Sequence, residues 1–105
     1  MTANYLFVYH GATTPATPED SQKAMAAWGA WFQRIGASVV DGGNPVGRSK
    51  TVSAKGVKNS GGAKPVSGYT IVSAESIDAA CDMAKGCPIV VDGTGSIQVA
   101  EILPM

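Results

Sequence analysis

One run of five apolar residues near the start of the chain, Tyr5-Leu6-Phe7-Val8-Tyr9, limits the possible folds more than any other feature. Its aromatic and β-branched residues predict a β-strand, and His10-Gly11 ends it. Successive side chains of a strand point to opposite faces, and here both alternating sets are apolar. A strand that is apolar on both faces is normally covered on both sides. Any fold proposed for this chain must therefore cover both faces of its sheet.

A helix with one apolar stripe is predicted after this strand. Gly11 to Ala16 predicts a loop, and Thr17-Pro18-Glu19-Asp20 predicts a helix start, because Thr17 can cap the helix and the acids suit its positive end. Gly36 favours the end of the helix. Gly29 costs roughly 1 kcal/mol relative to Ala in mid-helix, which predicts the close approach of another element there. The stripe is formed by residues at three- and four-residue steps, with Trp31 at its margin: Met25, Trp28, Phe32 and Ile35.

Three more strands and a second helix are predicted in the rest of the chain. A glycine-rich excursion, Gly42 to Ser67, separates the second strand from the third, and Lys50 to Lys55 within it predicts a brief strand or hairpin arm. The strands are predicted over Ala37–Asp41, Gly68–Ser73 and Ser96–Ile102, and the second helix over Ser76–Lys85.

This order of elements predicts an α+β fold, a ferredoxin-like βαββαβ sandwich with an irregular Gly-rich excursion before the third main strand. With 105 residues, the chain is predicted to be a single domain. Two helices cover one face of such a sheet, and no predicted element remains for the other. Because the first strand is apolar on both faces, we expect the open face to pack against a second copy in a two-fold homodimer.

Five stretches carry a resemblance to a known family: Asn4-Tyr5-Leu6-Phe7-Val8-Tyr9-His10-Gly11, Trp28-Gly29-Ala30-Trp31-Phe32, Gly68-Tyr69-Thr70-Ile71-Val72-Ser73, Ala84-Lys85-Gly86-Cys87-Pro88 and Ser96-Ile97-Gln98-Val99-Ala100-Glu101. Along nearly its whole length the chain resembles the YCII-related proteins of the dimeric α+β barrel superfamily. The resemblance implies a ferredoxin-like protomer whose sheet meets that of a second copy, with a pocket in each protomer. In a few members it also implies a small-molecule enzyme built on a His–Asp pair.

His10 is the candidate catalytic acid or base. Histidine changes charge near neutral pH, and strand ends that face a pocket are common catalytic positions. In the enzyme-like members of the resembled family, the dyad histidine lies closer to the first helix, so the pair does not carry over to His10. Asp41, at the end of the second strand, is the candidate partner, although the two strands are not neighbours in a ferredoxin-like sheet. The alternative is a structural histidine that is hydrogen-bonded at the end of its strand.

Charge excludes one class of partner and suggests another. Eight basic and eight acidic residues give a net charge of zero, which argues against a protein that binds nucleic acid. Five of the basic residues lie between Asp41 and Glu75, where there are no acids, so the excursion is locally about +5. Within it, Arg48 and Lys50 are candidate contacts for a small anionic or polar ligand. The alternative is a solvated loop whose lysines protect sheet edges from unwanted pairing.

Aromatic residues supply the candidate pocket walls, and no cofactor or metal is predicted. Trp28 and Trp31 on the helix, with Tyr9 and Tyr69 on the strands, either line a ligand pocket or belong to the core. One His and two separated Cys do not supply a metal-ligand set. The small number of cysteines and the lack of a long apolar run or a leader pattern predict a cytoplasmic protein without a membrane span.

Two functions remain open from the sequence. The first is a homodimeric small-molecule enzyme in which His10 acts as acid or base on a small polar or anionic compound. The second is a non-catalytic dimeric module that binds a small ligand or serves as an accessory partner.

Overall fold

The computed structural model describes residues 2–11, 17–62 and 64–104. Its main sheet is antiparallel, with the strand order β2-β5-β1-β6, and a separate hairpin pairs β3 with β4. The strands are β1 (Ala3–Gly11), β2 (Val39–Asp41), β3 (Thr51–Ser53), β4 (Gly56–Lys58), β5 (Val66–Ala74) and β6 (Gly95–Glu101). The helices are α1 (Pro18–Ile35), α2 (Ile77–Ala84) and α3 (Pro88–Val91), and a 3-10 turn spans Gly36–Ser38. This is the predicted ferredoxin-like α+β sandwich.

Helix α1 begins where the sequence predicts, because the Thr17 side chain accepts a hydrogen bond from the Asp20 backbone N–H at 3.1 Å. The helix is rotated relative to the predicted stripe. Trp31, placed at the margin from the sequence, is only 1% exposed, whereas Met25 is 74% exposed. The indole N–H of Trp31 donates to the Met83 backbone carbonyl at 2.9 Å, which satisfies its polar group in the core.

The core lies between the helices and the face of the sheet that carries Tyr5, Phe7 and Tyr9, all of which are buried. The Phe7 ring stacks on Trp31, with their ring centroids 6.3 Å apart. Helix α2 contributes its small buried residues, and α3 contributes Ile89. Because successive strand residues alternate, one face of β1 is thus covered by the three helices.

The opposite face of the sheet has no cover within the described residues. Leu6 and Val8 lie on it and remain partly exposed. Leu6 is opposite Ile71 on β5 and Ala100 on β6, so apolar side chains continue across three strands. The open apolar face predicted from the sequence is therefore present.

Three predictions of local structure have different outcomes. The arm predicted at Lys50 to Lys55 forms the hairpin of β3 and β4. Helix α3 was not predicted, because Gly86 and Pro88 were interpreted only as the end of the preceding helix; Pro88 takes the first position of a new one. The loop predicted over Gly11 to Ala16 lies outside the described residues from position 12 onward.

Among the helices described, none is both long enough and apolar enough to span a bilayer.

Candidate functional site

A cavity of about 410 Å³ lies at the side of the sheet where α1 approaches β5. Its aromatic and aliphatic wall comes from Tyr9, Trp28, Phe32 and Ile89. The facing wall comes from two segments, 42–45 and 67–70. The cavity is therefore built from strands β1 and β5, helices α1 and α3, and the segment that follows β2.

The segment that follows β2 is held in place by hydrogen bonds to β5 and to itself. The Tyr69 N–H donates to the Asn44 carbonyl at 3.2 Å, and the Val46 N–H donates to the Ser67 carbonyl at 3.0 Å. Asp41 Oδ1 accepts from the Gly43 N–H at 2.9 Å. Gly43 has φ +71°, and a Cβ there would overlap the Tyr69 carbonyl oxygen, so no other residue fits this wall without a backbone shift.

The aromatic wall is a packed cluster. Trp28 meets Tyr9 edge to face with ring centroids 5.2 Å apart, and it meets Trp31 in the same manner at 5.7 Å. Trp31 lies behind Trp28 in the core and does not line the cavity. Edge-to-face pairs of this kind stabilise one relative orientation of the rings, so Trp28 presents a fixed surface to the cavity.

A chain of hydrogen bonds runs through the cavity wall. The Tyr9 hydroxyl lies 2.6 Å from Thr70 Oγ1, and Thr70 Oγ1 donates to the Gly42 carbonyl at 3.0 Å. All three residues line the cavity. These two hydrogen bonds join the centre of the sheet to the segment after β2.

Tyr9 and the nearby Cys87 are neutral at physiological pH. Burial raises the pKa of Tyr9 to about 12, with the Thr70 hydrogen bond opposing the rise and the nearby Cys87 adding to it. Burial also raises the pKa of the Cys87 thiol to about 11. Among the described residues, no charged side chain lines the cavity. The site is an uncharged, largely aromatic compartment.

The structure brings three of the sequence-predicted site residues to this cavity: Tyr9, Trp28 and Tyr69. Arg48 and Lys50 lie farther along the excursion, are exposed, and are not part of the lining. Asp41 lies on the edge strand β2, directly before the cavity wall.

His10 lies on the open face of the sheet, away from the cavity lining. Its Nδ1 donates to the Lys64 carbonyl at 3.0 Å, and its Nε2 lies 3.3 Å from Gln98 Oε1. Strand β5 separates β1 from β2, so the structure does not bring His10 and Asp41 together.

Sequence reasoning did not identify the 42–45 wall, nor the lining residues Ser67, Gly68, Thr70 and Ile89. Thr70 lies in the same strand as Tyr69 but faces the helices, and polar and apolar residues do not alternate regularly in that strand, so its sequence does not indicate which face Thr70 takes. Ile89 follows from α3, which was not predicted. Within the described residues, no group of three or more His, Cys, Asp or Glu side chains could hold a metal ion.

Comparison with known proteins shows the fold. No family model matches this chain, and no curated protein matches it. A solved structure that is similar is the 5-chloro-2-hydroxyhydroquinone dehydrochlorinase of Burkholderia phenoliruptrix AC1100, in complex with 2,5-dihydroxybenzoquinone. The two chains are 19% identical, the alignment covers 95% of each, and the TM-score is 0.56. At this identity the similarity establishes a common α+β architecture.

Proposed function

We propose that this protein is a homodimeric, YCII-related protein that binds a small, flat, uncharged ring compound in the cavity beside Trp28. The observation that carries the proposal is the cavity itself, which is walled by aromatic side chains, has no charged side chain in its described lining, and contains Tyr9 in its neutral form at pH 7. Pockets for small ligands are mainly apolar, with a few polar groups that fix orientation. Here Tyr9 and Thr70 are those polar groups.

An uncharged ligand fits this cavity better than the anionic one suggested by the sequence. An anion loses its hydration on entering an apolar cavity and needs a compensating charge there. Arg48 and Lys50 are the anion contacts predicted from the sequence, and neither belongs to the lining. The dehydrochlorinase of similar fold was solved with a ring compound, 2,5-dihydroxybenzoquinone, which supports a ligand of this shape.

An enzyme that uses His10 is the second candidate. The Lys64 carbonyl and Gln98 Oε1 both accept, so the bond at Nε2 is made by donation, and Nε2 would act as a proton donor toward a substrate that takes the place of Gln98. This nitrogen lies on the open sheet face, so its substrate would occupy the space between two protomers. Asp41 would take no direct part in the reaction, because it lies on edge strand β2 and its carboxylate accepts a hydrogen bond from the Gly43 N–H. A cytoplasmic location suits the free thiols of Cys81 and Cys87 in either case.

Titration calorimetry at pH 7 with p-cresol and 4-methylbenzoate tests the proposal, because p-cresol is neutral at this pH and 4-methylbenzoate is an anion. We expect p-cresol to bind and 4-methylbenzoate to bind at least tenfold more weakly. Trp28→Ala is expected to weaken p-cresol binding about tenfold, since it removes one aromatic face. Met25→Ala, on the exposed side of the same helix, is the control that retains full affinity.

Three results would contradict this assignment. One is that neither ring binds at millimolar concentration, another is tighter binding of the benzoate, and the third is p-cresol affinity that Trp28→Ala leaves unchanged. A loss of p-cresol binding in His10→Ala would instead favour the second candidate, because His10 lies on the other face of the sheet.

A further inference from the structure

We propose that the cavity selects ring compounds that donate a hydrogen bond, such as phenols and other ring hydroxyls, over rings that can only accept one, such as ketones and ethers. This inference rests on the proposed function and concerns the same cavity. It follows from the direction of the hydrogen-bond chain in the wall.

The direction of this hydrogen-bond chain is fixed at its Gly42 end. The Gly42 carbonyl oxygen can only accept, so the bond of 3.0 Å takes the single proton of the Thr70 hydroxyl. Thr70 Oγ1 must then act as the acceptor in its 2.6 Å contact with the Tyr9 hydroxyl. The proton of Tyr9 is therefore committed to Thr70. The high pKa of Tyr9 agrees with this, because the phenol keeps its proton at neutral pH.

What remains at Tyr9 is an oxygen with free lone pairs in the cavity wall. Other polar groups of the wall are already used: the Asn44 carbonyl accepts from the Tyr69 N–H, and the Gly43 N–H donates to Asp41. When a ligand places an acceptor oxygen against the Tyr9 oxygen, neither oxygen receives a hydrogen bond, and this costs binding free energy. A ligand hydroxyl donates to Tyr9 and satisfies both.

The remaining polar side chains of the lining do not reverse this preference. Ser67, Asn44 and Tyr69 can each donate or accept, so they tolerate either kind of ligand. Trp28 carries an indole N–H that only donates. A ring hydroxyl can accept from a donor of this kind and still donate its own proton to Tyr9, whereas a ketone or ether has no proton to donate.

Titration calorimetry with three rings of similar size tests the inference: p-cresol, 4-methylanisole and 4′-methylacetophenone. The wild-type protein is expected to bind p-cresol about tenfold more tightly than the other two, the usual effect of one hydrogen bond. Tyr9→Phe is expected to bring the three affinities within about twofold. Thr70→Ser keeps the hydroxyl and is expected to keep the preference.

Thr70→Val gives the sharpest contrast. This change removes the acceptor of the Tyr9 proton, so the phenol can donate that proton to a ligand carbonyl instead. The affinity for 4′-methylacetophenone is therefore expected to rise at least threefold relative to the affinity for p-cresol. Circular dichroism and thermal melts check that each variant is folded. If Thr70→Val fails to fold, the contrast between Tyr9→Phe and Thr70→Ser decides the question.

The outcomes separate this inference from the proposed function. Binding of all three rings with equal affinity to the wild type would overturn the inference and leave the proposed function intact. Retention of the full preference in Tyr9→Phe would also overturn it. Failure of every ring to bind would overturn the proposed function, and with it the inference.

Discussion

Tyr9 and Cys87 are neighbouring polar groups buried in the aromatic core, and both are neutral there because burial penalises their charged forms. The folded protein holds the Tyr9 proton until about pH 12 and the Cys87 proton until about pH 11, above the ordinary values of 10.0 and 9.0. Their contribution to stability is complete below the ordinary pKa of each group. It is lost as pH rises toward the pKa of the folded state.

We therefore expect the free energy of unfolding to fall between pH 9 and pH 12, by an amount on the order of 2 kcal/mol for each group. Urea unfolding at closely spaced pH values measures this decline. Tyr9→Phe should flatten the part between pH 10 and 12, and Cys87→Ala the part between pH 9 and 11. Wild-type stability that stays constant up to pH 12 would contradict the burial of these groups in a neutral form.

Sequence reasoning identified the aromatic residues of the site but not its polar ones. Trp28 and Tyr9 are large, so their position on a helix or strand already limits them to the core or a pocket wall. Thr70 has no such signal, because a threonine in a strand is equally suited to either face. Its role depends on the Gly42 carbonyl, 28 residues away, and a contact of that kind is set by the tertiary fold.

At the level of elements, the glycine-rich excursion divides into two parts that its composition did not distinguish. The first part, 42–46, pairs with β5 and forms a cavity wall, because Asn44 and Val46 bond to that strand. The later part, 50–62, is exposed throughout and carries the β3–β4 hairpin. The hairpin was predictable from local sequence. The pairing of 42–46 with β5 was not, since it joins segments about 25 residues apart.

The two glycines at positions 29 and 43 have opposite requirements. Gly29 was predicted to mark close packing, yet a Cβ there meets no atom of the described residues within 4 Å. Gly29→Ala is expected to stabilise the protein by about 0.5–1 kcal/mol, because alanine loses less entropy in helix α1. Gly43→Ala is expected to destabilise it by more than that, since the new methyl overlaps the Tyr69 carbonyl. Thermal melts of both variants measure the difference, and a destabilised Gly29→Ala would show that another element packs there.

At the scale of the whole molecule, the two faces of the sheet differ in cover. The three helices of the described residues pack on the face that carries Phe7, and the face that carries Leu6 stays partly exposed. This imbalance could be predicted from the sequence, because β1 is apolar on both faces while the predicted helices cover one. The shape of the open face could not, since it depends on the twist and register of the complete sheet.

We expect the wild-type protein at micromolar concentration to sediment as a dimer of twice the 10.7 kDa chain mass. Leu6→Lys should shift it to the monomer, because the new charge lies between Ile71 and Ala100 on the open face and would be buried without a partner. Val57→Lys, on the exposed hairpin, is the matched control and should remain dimeric. Analytical ultracentrifugation distinguishes the two species. A wild-type monomer would mean that the open face is stable in water, and the case for a closed pair of sheets would fail.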